Sequence, residues 1–230
     1  MRYDQYEYLL YSNIVLHEYK AIYFFIPKVA CTSLKKAMGQ ILGIEKCIPP
    51  SSHGSSRQTL ASGRKLNEPN YHFYHYPFVT DATRFDDYFK FCFVRNPWDR
   101  LVSCYFDKVK SDFPGFRKYG FSSKMSFRDF AIAVGHIEDT EADSHFRSQH
   151  KIIRAAGNFS MNFVGRFENL ELDFAQLCEL IGVGGVSLER LKKSPRPKNT
   201  YTEHYTQELA VIVGNRYRGD IEMFSYGFGD

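Results

Sequence analysis

Two short segments concentrate the residue types that bind anionic groups. In Pro27-Lys28-Val29-Ala30-Cys31-Thr32-Ser33, a lysine and two hydroxyls follow the apolar run Ala21-Ile22-Tyr23-Phe24-Phe25-Ile26 and precede a stretch with helical apolar spacing. A strand that delivers a short loop into a helix N-terminus makes an anion site, because the first N–H groups of the helix lack intrahelical acceptors and its dipole is positive there. Ala30 to Ser33 would supply those N–H groups, Lys28 a mobile cation, and Thr32 and Ser33 hydroxyl donors. The second segment, Arg95-Asn96-Pro97-Trp98-Asp99-Arg100-Leu101-Val102-Ser103, again sets an arginine at a strand end and a serine on the following helix. From eight positions apart, Arg95 and Ser103 can meet one phosphate. The alternative role for Arg95 is a helix-start ion pair with Asp99.

A nucleotide kinase would need G-x-x-x-x-G-K-[ST] and a carboxylate for magnesium, and the chain has no such glycine-lysine motif. Cys31 adjoins the first loop, but no histidine partner is identifiable for it, which makes it a small packing residue rather than a nucleophile.

Attack by a hydroxyl requires a base within hydrogen-bond reach. His75, in Tyr71-His72-Phe73-Tyr74-His75-Tyr76-Pro77, lies near the end of an extended segment between the two motifs. Strand alternation sends His72 and His75 to opposite faces, so one of them points toward a cleft, and His75 is preferred. A further histidine, His145, stands in Asp143-Ser144-His145-Phe146-Arg147-Ser148-Gln149. Gln149, one helical turn beyond it, would share its face if that segment were helical.

The elements that must position these residues alternate between strand and helix. Strands are expected at 21–26, 88–94 and 162–167, with an extended stretch over 71–79. Leu34, Ala37, Met38, Ile41 and Leu42 recur at helical spacing from a Thr32 or Ser33 cap, with Gly43 placed to stop the helix. A second helix runs from the Arg95 motif toward Lys110. Ser126 caps a third that Gly135 ends, a fourth spans 170–181, and a last one runs from 203 to 217. The sequence therefore predicts an α/β fold, a central mostly parallel sheet with helices on both faces. It is expected to form one domain over 1–230, with irregular insertions near 47–70 and 111–124. A polar loop from Lys192 to Thr200 precedes the last helix.

Of 230 residues, 43% are hydrophobic, enough for a sizeable core and against disorder. A net charge of +4 is too small to argue for nucleic acid or a membrane surface. The basic residues Lys108, Lys110, Arg117, Lys118 and Lys124 either guide an anionic glycan or form a solvated face. Five cysteines, at 31, 47, 92, 104 and 178, show no metal-ligand spacing, and their odd number leaves at least one thiol unpaired within the monomer, which favours a reducing compartment. The N-terminus has no signal-peptide pattern and no segment has membrane-spanning length, so a cytoplasmic location is expected.

Taken together, the two motifs resemble those of the carbohydrate sulfotransferases, the Golgi-type branch that modifies sugar hydroxyls, here without a membrane anchor. Pro27 to Ser33 is similar to their 5′-phosphosulfate loop and Arg95 to Ser103 to their 3′-phosphate motif. Val164-Gly165-Arg166-Phe167-Glu168-Asn169-Leu170 and the tail, with Tyr217, Asp220-Ile221 and Phe224-Ser225-Tyr226, extend the likeness over most of the chain. Ala30-Cys31 departs from it, since relatives often carry glycine there. The resemblance implies a P-loop, nucleotide-kinase-like sheet and metal-independent in-line transfer of a sulfuryl group from 3′-phosphoadenosine 5′-phosphosulfate (PAPS) to a carbohydrate hydroxyl, releasing 3′-phosphoadenosine 5′-phosphate (PAP). It assigns Lys28 to the bridging oxygen, Arg95 and Ser103 to the 3′-phosphate, and Arg196 and Lys198 to a segment closing over the nucleotide. The same resemblance implies that His145 is a substrate contact or the runner-up base. The competing classes are a small-molecule kinase on the same sheet and a catalytically degenerate protein that binds anionic glycans.

Overall fold

A computed structural model describes residues 13–42, 73–74, 85–156, 160–188 and 200–230. The strands are β1 (Asn13–Leu16), β2 (Ala21–Phe24), β3 (Phe73–Tyr74), β4 (Phe89–Val94) and β5 (Phe163–Arg166). The α-helices are α1 (Cys31–Ile41), α2 (Pro97–Cys104), α3 (Phe127–Gly135), α4 (Gln149–Ala156), α5 (Leu170–Ile181), α6 (Gln207–Arg216) and α7 (Arg218–Phe224). The chain divides into two compact units. The first takes the described residues of Met1–Ile26, Ala30–Phe93 and Ala156–Lys193, the second those of Pro27–Val29, Val94–Ala155 and Ser194–Asp230.

The first unit holds the sheet, in the order β3-β1-β2-β4-β5. The α/β class expected from the sequence stands, and the sheet is mixed. β2 runs parallel to β4, with Tyr23 opposite Phe91, whereas β1 is antiparallel to both β2 and β3. The β1–β2 connection is tight because Lys20 takes a left-handed conformation (φ 45°) and its N–H returns to the carbonyl of His17. All four residues of β2 are buried, and the Tyr23 ring stacks on Phe91 with centroids 5.6 Å apart. Continuous burial explains the unbroken apolar run, since a strand covered on both faces shows no alternation.

α1 begins earlier than its hydroxyls predict. Ala30 is the N-cap, at φ 48°, and no side chain caps the helix, so Thr32 and Ser33 lie within the first turn. The predicted apolar positions Leu34, Ala37, Met38 and Ile41 are buried. α5 occupies the predicted span, buries Phe174, Leu177 and Ile181, and stops at Gly182 in the left-handed region (φ 75°). Gly165, in β5, is packed so closely on the Phe93 ring that a Cβ there would collide with it.

The second unit is helical. Asn96 caps α2 by accepting from the Trp98 N–H, and Pro97 occupies the first turn, where its missing N–H costs nothing. The helix runs on into one π-helical turn, Tyr105–Val109, closed by Lys110 N–H to Tyr105 O at 3.0 Å. Ser126 caps α3 as predicted, through the Asp129 N–H. The stretch over 111–124 contains a 3-10 helix, Pro114–Tyr119, and sends Phe116 and Phe121 into an aromatic core with Phe130 and Phe146. The single last helix expected from 203 to 217 is instead a 3-10 turn (Thr200–His204) followed by α6 and α7. Thr206 caps α6, and Trp98 donates its indole N–H to the Ala210 carbonyl at 2.9 Å. Among the described residues no helix is long and apolar enough to cross a membrane.

Candidate functional site

The Lys28 loop is shaped by two arginines of the second motif. Lys28 itself is left-handed (φ 72°), a conformation costing a non-glycine residue roughly 1–2 kcal/mol, so its surroundings must hold it. Arg95 donates through NH1 to the Lys28 carbonyl at 3.1 Å, and Arg100 through Nε to the Pro27 carbonyl at 2.9 Å. These peptides are trans, so each clamped carbonyl turns the N–H of its own peptide, that of Lys28 or Val29, the opposite way. The loop thereby presents amide donors on one side and buries its carbonyls against cations on the other.

Arg100 is 1% exposed, and its other two nitrogens also meet carbonyls: NH1 that of Arg147 at 2.8 Å and NH2 that of Ser144 at 2.9 Å. Burial pulls its pKa below the ordinary arginine value, opposed by Tyr217 and Asp220. One buried guanidinium therefore joins the Lys28 loop to the turn that carries His145.

Arg95 is fixed at both ends. Its backbone N–H donates to Oε1 of Gln149 at 3.0 Å, and its carbonyl accepts from Nε2 of the same amide at 2.8 Å. Gln149 is fully buried, and its own N–H is held by Asp220. At the other end the guanidinium meets Asp99 Oδ2 through Nε at 2.8 Å and NH2 at 2.7 Å. Asp99 and half-buried Ser103 follow at helical i+4 steps, and Asp107 continues the series into the π turn, with Oδ2 2.8 Å from Lys28 Nζ.

His145 lies in the turn before α4. Its ring Nδ1 is 2.6 Å from Asp143 Oδ1, which also accepts the His145 backbone N–H at 2.9 Å. Phe113 and Phe116 pack around the ring. Burial lowers the His145 pKa, and the charges of Lys108 and Lys28 lower it further against the opposing pull of Asp143. Burial alone would raise the Asp143 pKa, but the hydrogen bond and charge of His145 bring it below its usual value. The imidazole is therefore neutral at neutral pH, Nδ1–H donates to Asp143, and Nε2 carries the lone pair.

A sulfotransferase family model matches residues 12–227. The chain belongs to the sulfotransferase family. Its curated relatives include carbohydrate sulfotransferase 11 of Mus musculus, 26% identical over 93% of this chain and 66% of the relative. They also include carbohydrate sulfotransferase 14 of Homo sapiens (25%, over 95% and 61%) and carbohydrate sulfotransferase 10 of Danio rerio (26%, over 96% and 67%). The chain thus spans 66% of the length of the first of these and 61% of the second. No solved structure gives a significant match.

Of the residues singled out in the sequence, Lys28, Arg95, Ser103 and His145 lie in the second unit of this member of the family. Ala30 and the N-terminal residues of α1, namely Cys31, Thr32 and Ser33, belong to the first unit. There the first-turn N–H groups have no acceptor within the helix. Cys31, Cys92, Cys104 and Cys178 are free thiols, and burial pushes Cys92 and Cys104 up to about 12, which makes them unreactive. His75, Arg196, Lys198, Cys47, Gly43 and the 47–70 segment lie outside the described residues. Gln149 does not share a helical face with His145, because α4 starts at Gln149 itself. Residues not identified from sequence are Arg100, Asp107, Asp143 and the clamping amide of Gln149. Only Asp107 carried a signal, its i+4 step from Ser103. Among the described residues no group of His, Cys, Asp or Glu could hold a metal ion.

Proposed function

We propose that the chain transfers a sulfuryl group from PAPS to a hydroxyl of a carbohydrate, by in-line displacement and without a metal ion. The observation that carries this reading is the fastening of the Lys28 loop to the second motif by Arg95 and Arg100. This fastening supports a ligand phosphorylated at both ends, which needs its two candidate anion-binding segments held in one frame. The residues fit such a ligand: the loop amides face away from the arginines, and Lys28 and Arg95 bring two cations to the same unit. PAPS supplies an activated sulfuryl group whose leaving oxygen belongs to the 5′-phosphate.

Lys28 would neutralise charge on that oxygen as its bond to sulfur breaks, an interaction that grows toward the transition state. The loop from Pro27 through Ala30, Cys31, Thr32 and Ser33 would hold the 5′-phosphate, and Arg95 with Ser103 the 3′-phosphate. Asp99 pre-orients the Arg95 guanidinium, and a 3′-phosphate would share or displace that pair. Arg196 and Lys198 would close over the nucleotide. The acceptor oxygen bonds to sulfur as the sulfur–phosphate oxygen bond breaks, and its proton passes to a base. His145, neutral and oriented by Asp143, is the described residue that supports this role; His75 is the alternative base. The carbohydrate sulfotransferases among its relatives support a sugar hydroxyl as acceptor, and PAP is the remaining product. The free thiols support a reducing, cytoplasmic setting.

The test is incubation with radiolabelled PAPS and fractionated glycan acceptors. Label is expected in one acceptor fraction, with the same yield in chelator. Magnesium-dependent ATP consumption without sulfuryl transfer would replace this reading with a kinase. Glycan binding without affinity for PAP would replace it with a degenerate binding protein.

A further inference from the structure

The cation assigned to the leaving group is already engaged. Lys28 Nζ sits 2.8 Å from Asp107 Oδ2, and the same oxygen is 3.6 Å from Lys108 Nζ. The Lys28 side chain is 11% exposed and that of Asp107 41%. A nearly buried ammonium is costly without a counter-charge, and the carboxylate beside Lys28 offsets that cost. The exposure of the carboxylate keeps the pair weak enough to exchange.

Backbone geometry supports a dedicated arrangement. The Lys28 carbonyl is held by Arg95 and its backbone is left-handed, which fixes where the lysine side chain starts. Asp107 stands in the π turn, and such turns in otherwise α-helical segments recur at functional sites. Lys108, whose ammonium also lies 4.6 Å from the centre of the Phe113 ring, is at hand to accept the carboxylate once Lys28 leaves it.

We propose that Asp107 is the positioning residue for Lys28: its carboxylate holds the ammonium in the ligand-free protein and yields it to the 5′-phosphate oxygen of the bound nucleotide. This rests on the donor assignment above. The role is positional, since Asp107 acts through Lys28 and not on the reacting atoms.

Calorimetric titration with PAP tests it in the wild type, Asp107→Asn, Asp107→Ala, Lys28→Ala and the Asp107→Asn/Lys28→Ala double variant. Releasing Lys28 should tighten PAP binding about threefold to tenfold in both Asp107 variants, and the gain should vanish when Lys28 is absent. An equal gain in the Lys28→Ala background would mean that only the general field of a carboxylate had been removed, and would overturn the proposal. So would the absence of tightening in both Asp107 variants. Failure of folded wild-type protein to bind PAP would overturn the donor assignment and this inference together, whereas the preceding outcomes leave the donor assignment standing.

Discussion

Arg100 donates Nε to the Pro27 carbonyl at 2.9 Å from a position that is 1% exposed. Its remaining donors take the carbonyls of Ser144 and Arg147, which flank His145. A single side chain thus sets the spacing between the candidate cation loop and the candidate base.

Replacing Arg100 leaves three buried or half-buried carbonyls without their donor. Arg100→Met should cost roughly 3 kcal/mol or more of stability, since each lost charge-assisted bond and each orphaned carbonyl contributes about 1–3 kcal/mol. Chemical denaturation reads this directly. A shift below about 1 kcal/mol would show that the loop does not depend on the arginine.

Lys28→Ala removes an ion pair with a partly exposed carboxylate, while Arg95 and Arg100 still hold the loop backbone, so the fold should persist. Turnover should fall on the order of 100-fold or more, the usual consequence of removing a group that stabilises charge on a reacting oxygen. Retained turnover in folded Lys28→Ala protein would remove Lys28 from the chemistry.

The pH profile follows from His145. Its folded-state pKa lies below the ordinary value of 6.5, with burial the largest cause, so the neutral base persists to lower pH than in an exposed histidine. Activity should rise through an acid limb below pH 6.5 and level off toward neutrality. Stability follows the same sign: below 6.5 the unfolded chain binds the proton more readily at this site, so this contribution is lost as pH falls. Asp143→Asn removes the group that pulls the His145 pKa upward. The acid limb should therefore move to lower pH while kcat drops. An unmoved limb would assign it to another residue, with His75 the next to test.

Gly165→Ala addresses the fold without touching the second unit. The added Cβ meets the ring of Phe93, which is 1% exposed and has little room to yield. A loss of about 1–3 kcal/mol is expected, the range for overpacking a filled site. Thermal unfolding measures it, and an unchanged Tm would show that the ring relocates freely.

Local signals were sufficient where a pattern and its terminator lay in the same stretch of chain. α5 was legible from the helical spacing of Leu170, Phe174, Leu177 and Ile181, and α3 from Ser126 at its start and Gly135 at its end. β1 was not, because four residues ending at Leu16 carry too little periodicity, and antiparallel pairing with β2 is what makes them a strand. α4 was missed because its first turn is held by Asp220, 71 positions from Gln149. The 111–124 stretch was read as an irregular insertion, and its Phe116 and Phe121 become core only when helices from elsewhere in the chain surround them.

What the sequence alone determined was the inventory of charges: which loop carries the lysine, which helix start carries the arginine, and in what order. Residue type and local spacing suffice for that, because anion binding at a strand-to-helix turn is a short-range property. Tertiary structure decided how those charges are compensated. Asp99 on Arg95 and Asp143 on His145 lie within four residues of their partners, whereas the 79 positions separating Lys28 from Asp107 are closed only by folding. Arg100 and Gln149 act on backbone groups of Pro27 and Arg95, and a backbone carbonyl or N–H looks the same at every position of a sequence until the fold selects which one is near.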